Sequence, residues 1–227
     1  MSSLVLEESV DEFTEPAPVS RRLLAMDLRF ELDNDAGSVA PLVEHLLEQI
    51  AAMQLFAKDD GVRIRVALTE SLLNAIHHGN LELDSDLRQD DESIYHDLAE
   101  TRRVQWPYCD RRVQVLASFS RDRLKVVIRD EGPGFNHRRI RNPTLDRVGG
   151  RGLLLIRSFM DEVTFNDRGN QVTLIKYTSR AQALLAGMER STGGSPVAEI
   201  TAAEITGEPP VRRDYFAPSS IAAQSIS

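Results

Sequence analysis

The 227-residue chain contains one cysteine, Cys109, so it can form neither an intramolecular disulfide nor a cysteine-based zinc cluster. No apolar run approaches the ~20 residues that a membrane-spanning helix needs. Basic residues are outnumbered, 27 against 35 acidic ones, and the net charge of −8 disfavours nonspecific binding to nucleic acid or to anionic membrane surfaces. Hydrophobic residues make up 41%, slightly little for a chain folded wholly into a core, so part of its length is expected outside one. The opening stretch, MSSLVLEESVDEFTEP, lacks the basic start and apolar run of a secretory leader. A cytoplasmic location, with no membrane and no direct nucleic-acid partner, fits these absences.

What is present divides into three parts. Residues 1–20 carry Glu7, Glu8, Asp11, Glu12 and Glu15 with two prolines and no periodicity, and read as a disordered acidic tail. Residues 181–227, rich in Gly, Ser, Pro, Ala and Thr, read as mostly disordered. Residues 21–180 carry the pattern of one α+β domain. Leu23–Leu32 alternates like a strand, and Val39–Met53 is apolar at helical spacing with Ser38 as N-cap. Asp59 or Asp60 caps a second helix running to His78, which Gly79 is placed to end. Val113–Phe119 and Leu124–Arg129 read as a hairpin, Gly152–Met160 as a helix, and Val163–Asn166 with Gln171–Tyr177 as a last hairpin. Strands that arrive as hairpins predict a two-layer sandwich: a mixed, mostly antiparallel sheet with helices on one face. Residues 81–112 form a charged insertion, with a short helix near Glu92–Arg103 followed by Trp106-Pro107-Tyr108. The insertion reads either as a solvated surface excursion or, given its two aromatics, as a partner or dimer contact.

Three motifs inside the domain carry chemistry. On the second helix Glu70, Asn74 and His78 follow at i, i+4, i+8 and form one stripe. The helix is apolar nearly all round, so a carboxylate and an amide on it need partners. Either they bond to nearby backbone, or Asn74 offers its carbonyl oxygen to Mg²⁺ beside a bound phosphate, with Glu70 placed as a general base. The second motif, Asp130-Glu131-Gly132-Pro133-Gly134-Phe135, follows an apolar strand. Asp130 can accept an exocyclic N–H, and glycines let a flat ring approach the backbone, although the same residues also make an ordinary turn. The third, Gly149-Gly150-Arg151-Gly152, leads into Leu153-Leu154-Leu155-Ile156. It is either a flexible loop and helix cap or an anion site made of backbone N–H groups, helix dipole and Arg151.

Taken in order, these stretches resemble the N, G1 and G2 boxes of the GHKL ATPase superfamily, which includes gyrase and the histidine kinases. Glu70-Ser71-Leu72-Leu73-Asn74-Ala75-Ile76-His77-His78-Gly79-Asn80 is most similar to the anti-sigma-factor serine/threonine kinases of bacterial partner switching. Gly150 through Val163 and Gly169-Asn170-Gln171-Val172-Thr173-Leu174 are similar to the same family, and the resemblance spans about residues 22–178. It implies a Bergerat-type ATP-binding fold with ATP and Mg²⁺ as cofactors. Asn74 would hold Mg²⁺ and Glu70 would activate the acceptor hydroxyl. The nucleotide would also meet His78 and Gly79. Asp130 would hold adenine with Thr173 helping through water, in a base pocket shaped by Gly132, Gly134 and Phe135. Gly150, Arg151, Gly152 and Leu153 would touch phosphates. A lid over 136–149 carries Arg138, Arg139, Arg141 and Arg147, one of which would reach the γ-phosphate. The implied activity is phosphorylation of a STAS-like antagonist protein, with a sigma factor as second partner and a homodimer as assembly. A nucleotide-dependent binding module without kinase activity, or a histidine-kinase-type catalytic module, remains the alternative. The insertion 81–112 is longer than in compact members of the family.

Overall fold

The computed structural model describes residues 23–84, 87, 92–136 and 151–191. Five strands are present among them: β1 (Ala25–Leu32), β2 (Val113–Ser120), β3 (Arg123–Arg129), β4 (Glu162–Phe165) and β5 (Gln171–Tyr177). They form one sheet in the order β1-β2-β3-β5-β4, and every pairing is antiparallel. The sheet is therefore not mixed. After β3 the chain passes through a helix to the sheet edge, lays down β4, and turns back so that β5 fills the gap. That crossover leaves no parallel neighbours.

Residues two apart along the strands build the core face of the sheet, and at its centre the paired Leu116 and Val127 are buried on the opposite face as well. Val115, Ala117 and Phe119 of β2, Leu124, Val126 and Ile128 of β3, and Val172 and Leu174 of β5 belong to a single core cluster. Register aligns them in rows, Val115 with Ile128 and Val172, and Ala117 with Val126 and Leu174. Two helices supply much of the facing layer: α1 (Val39–Ala52), through Leu42, Val43, Leu46 and Ile50, and α2 (Lys58–Asn74), through Ile64, Leu68 and Leu72. This two-layer α+β arrangement is the one expected.

Helix ends differ from the sequence reading. Ser38 occupies the N-cap position of α1 without a side-chain cap bond; its hydroxyl donates to the Asp35 carbonyl at 2.7 Å. Asp35 instead caps a short 3-10 turn, Ala36–Ser38, by accepting from the Gly37 N–H. Ala57 precedes α2, and Asp59 and Asp60 stand in its first turn, where carboxylates meet the positive end of the dipole. Gly79 does not end this helix. Residues Ala75–Asn80 continue it as a π turn, closed by the Leu81 N–H donating to the Ile76 carbonyl at 2.8 Å.

The insertion is folded onto the domain rather than solvated. Its helix α3 (Glu92–Val104) turns Tyr95 and Ala99, one helical turn apart, inward. The Tyr95 ring meets His77 edge-on at 5.7 Å. A 3-10 turn, Tyr108–Asp110, leads on to β2, and Trp106 just before it is 75% exposed. The helix before β4 is α4 (Arg151–Phe159). Beyond β5, α5 (Ser179–Ser191) begins with Thr178 Oγ1 accepting the Ala181 N–H. The segment after residue 180, expected as tail, thus starts as helix, because alanine and leucine are frequent there and a cap is in place. The chain divides into two units, 1–183 and 184–227, and of the second the structure describes the helical residues 184–191. The acidic tail over 1–20 and residues 192–227 lie outside the described residues. No helix among the described residues is long and apolar enough to cross a membrane.

Leu68 is fully buried between the layers. Leu68→Ala is expected to lower the unfolding free energy by about 2–5 kcal/mol in a denaturant titration. A loss below about 1 kcal/mol would show that the two layers do not share this core.

Candidate functional site

The stripe on α2 becomes a cavity wall because the helix changes pitch beneath it. Asn74 is its last α-helical residue, and the wider π turn that follows presents His78 and Gly79. Asn74, Ala75, His78 and Gly79 line a cavity of about 340 Å³ together with Asp130, Gly134 and Phe135. Its apolar wall comes from Ile128, Leu153, Ile156, Phe165 and Val172. Phe135 and Phe165 meet edge to face at 5.3 Å. A cavity of this size, mostly apolar with a few polar groups, fits a small organic ligand with a flat ring.

The residues expected at the site do not all reach the cavity. Glu70 lies beside Gly152 in the first turn of α4: a Cβ on Gly152 would stand 2.6 Å from Glu70 Oε2 and 3.7 Å from Asn74 Nδ2. Glu70, Asn74 and the N-terminal turn of α4 therefore converge. Among the described residues the side chains of Glu70 and Asn74 make no hydrogen bond, so backbone pairing does not account for them. Gly132 shapes the site from behind: a Cβ on it would stand 2.1 Å from the Gly79 carbonyl oxygen. Arg151 is exposed at the start of α4. Thr173 is misplaced in the sequence reading. Its neighbours Val172 and Leu174 face the core, so the period of two puts Thr173 on the opposite face, away from the cavity. Gly149, Gly150 and the arginines at 138, 139, 141 and 147 lie outside the described residues.

Asp130 is buried, at 8% exposure, and its Oδ1 accepts the Gly132 N–H at 2.9 Å. Burial pushes its carboxyl up to about 6, although the Gly132 N–H bond and the charges of Arg168 and Arg111 pull the other way. The turn around it is held by residues that sequence reasoning missed. Asn170 receives the Asp130 N–H on its carbonyl at 3.0 Å and donates its own Nδ2 to the Asp130 carbonyl at 2.9 Å. Asn166 Oδ1 accepts the N–H groups of Gly169 and Asn170. Arg168 donates to the Gly132 carbonyl at 3.1 Å. Asn80 Oδ1 accepts the Glu131 N–H at 2.8 Å. The sequence signal was a hairpin turn rich in asparagine and glycine, which reads as turn chemistry and hides its second task.

No group of three His, Cys, Asp or Glu that could hold a metal occurs among the described residues. The donor set instead suits Mg²⁺ carried by phosphate, which takes one or two protein oxygens. The Asn74 side-chain carbonyl is the oxygen available for that, with α4's first turn beside it.

Burying the ionised Asp130 opposes folding. A carboxyl whose pKa is raised on folding gives stability that is present below about 4 and lost as pH rises through about 6. Asp130→Asn keeps the Gly132 bond and removes the charge. At pH 7.5 it is expected to gain about 1–3 kcal/mol against denaturant, at about 1.4 kcal/mol per pKa unit, and to lose the pH dependence between 4 and 6. An equal or lower stability of the variant at pH 7.5 would contradict this electrostatic picture.

Comparison with known proteins adds a family. A model for the histidine kinase-like ATPase domain matches residues 32–176, from the last residue of β1 into β5, and so covers every element that lines the cavity. Serine-protein kinase RsbW of Staphylococcus epidermidis is 39% identical over 72 residues, which cover 27% of this chain and 45% of that protein. Serine-protein kinase RsbW of Staphylococcus aureus (strain MSSA476) is 27% identical over 135 residues, 55% of this chain and 70% of that protein. The chain thus spans about half the length of the first of these relatives. Since the family match takes in most of the chain and its fold, the chain belongs to the histidine kinase-like ATPase domain family.

Proposed function

We propose that this protein binds Mg-ATP in the cavity beside α2 and transfers the γ-phosphoryl group to a serine or threonine of an antagonist protein, in the manner of a partner-switching kinase. The observation that carries the reading is Asp130: a buried carboxylate lining a ring-sized, mostly apolar cavity, in which Asn74 stands beside the first turn of α4. The names of the serine-protein kinases it is similar to support the choice of acceptor. A STAS-like antagonist, and a sigma factor held or released according to its phosphorylation, are the proposed partners.

Each residue has a physical task in this reading. Asp130 accepts the 6-amino N–H of adenine, and the edge-to-face pair Phe135 and Phe165 bounds the ring. The N–H groups opening α4 receive phosphate oxygens, which the helix dipole favours. Asn74 would hold Mg²⁺ through its side-chain oxygen, and the ion would supply charge neutralisation at the phosphates. Glu70 takes the proton of the acceptor hydroxyl as its oxygen bonds to the γ-phosphorus and the bond to the ADP oxygen breaks. Gly152 keeps the space that lets Glu70 stand beside that helix terminus.

Radiolabelled ATP incubated with candidate antagonists tests the proposal, and an acid-stable label on a serine or threonine is expected. Glu70→Ala should keep ATP affinity within about threefold while phosphotransfer falls by about 10²-fold or more, the scale of a lost general base. Asn74→Ala should remove the Mg²⁺ dependence of binding. Undiminished transfer by Glu70→Ala would sink the assignment of the base. ATP binding with no labelled protein would favour a nucleotide-dependent binding module, and an acid-labile label would favour histidine chemistry.

A further inference from the structure

Asn80 is fully buried at the end of the π turn, and both ends of its side chain are used. Its Oδ1 accepts the Glu131 N–H at 2.8 Å, one residue from Asp130. Its Nδ2 donates to Asn34 Oδ1 at 2.8 Å. Asn34, itself 4% exposed, donates onward to the Tyr108 carbonyl at 2.7 Å and the Arg111 carbonyl at 3.2 Å. The relay begins at an N–H, which can only donate, and ends at two carbonyls, which can only accept. Neither amide can therefore flip without breaking it.

The far end of the relay is rigid as well. Arg111 donates to the Asn80 carbonyl at 2.6 Å and pairs with Glu82 at 2.8 Å. Arg102 of α3 donates to the carbonyls of Leu81 and Glu82. The Tyr108 ring packs against both guanidinium groups, each 5.0 Å from its centre. Arg102 and Arg111 of the insertion thus grip residues 80–82 at its start from one side while the Asp130–Gly132 turn abuts Gly79 from the other.

We infer that Asn80 is a positioning residue for base recognition: with Asn34 it ties the Asp130–Gly132 turn to the insertion and fixes the carboxylate that selects a 6-amino purine. The inference rests on the proposed role of Asp130 in adenine binding. The geometry gives it a distinctive signature. Removing Asn80 leaves the phosphate end of the site, at Asn74 and α4, untouched, so the loss falls on nucleotides that carry the 6-amino group.

The test compares Mg-ATP with Mg-purine riboside triphosphate, which lacks that group, by calorimetry on the full chain. Wild type should prefer ATP. In Asn80→Ala and Asn34→Ala, ATP affinity should fall by about tenfold, equivalent to about 1.4 kcal/mol, while the analogue stays within about twofold. Adding Asn80→Ala to Asp130→Asn should cost little further ATP affinity, since both act at one contact. If either buried variant fails to fold by circular dichroism, Arg111→Gln carries the test, with a smaller loss in the same direction. Unchanged ATP affinity, or equal losses for both nucleotides, would overturn the inference while leaving the nucleotide site standing. A wild type that binds neither nucleotide would overturn the ATP reading itself and the inference with it.

Discussion

Asp130 is buried because two backbones touch behind it. Gly79, in the π turn after α2, and Gly132, in the turn after β3, approach so closely that a Cβ on Gly132 would overlap the Gly79 carbonyl, and one on Gly79 would overlap the Asp130 side chain. No residue larger than glycine fits either position without moving a turn. This contact joins the helical layer to the sheet at the mouth of the cavity. The π turn and the Asp130 carboxylate meet at it.

Around that contact the protein keeps an unusual concentration of buried amides. Asn34, Asn80 and Asn170 are each nearly inaccessible, and each is hydrogen-bonded at both ends of its side chain or across to a backbone turn. Buried polar groups destabilise a fold unless they are satisfied, and these are satisfied by one another and by the turns. The arrangement holds a carboxylate in a setting that raises its pKa, which opposes folding when the group is ionised. Stability is given up at one residue so that an acceptor can stand in a shaped, mostly apolar cavity. The insertion belongs to this economy: Tyr95, Arg102, Tyr108 and Arg111 fasten the π turn that follows α2 and the residues just after it.

Much of this was legible in the sequence, and the limits have physical causes. The strands and main helices follow from apolar periodicity, which burial enforces directly. Asn74, His78, Asp130, Gly134, Phe135 and Leu153 could be found because motif order and a family resemblance name them, and the structure gathers them round one cavity. Helix ends were harder. Gly79 looks like a terminator, yet the chain winds on as a π turn because tertiary contacts across Gly132 hold it there. Thr173 was chosen by resemblance although the strand period places it on the wrong face. Asn80, Asn166 and Asn170 escaped because asparagine near glycine is also ordinary turn chemistry: Asn166 bonds within its own turn, and the partners of Asn80 and Asn170 across the fold lie 51 and 40 residues away in sequence. The insertion read as a solvated excursion or a partner contact because charge dominates it; the i, i+4 pair Tyr95 and Ala99 marks the side of its helix that packs on the domain.

The central claim is that one cavity binds an adenine nucleotide with its base against Asp130 and its phosphates toward Asn74 and α4. A crystal structure of the full chain grown with Mg²⁺ and a non-hydrolysable ATP analogue tests it most directly. The account predicts the 6-amino nitrogen within hydrogen-bond distance of the Asp130 carboxylate, and Mg²⁺ bound by the Asn74 side-chain oxygen. A nucleotide seated elsewhere, or turned with its phosphates toward Asp130, would contradict it.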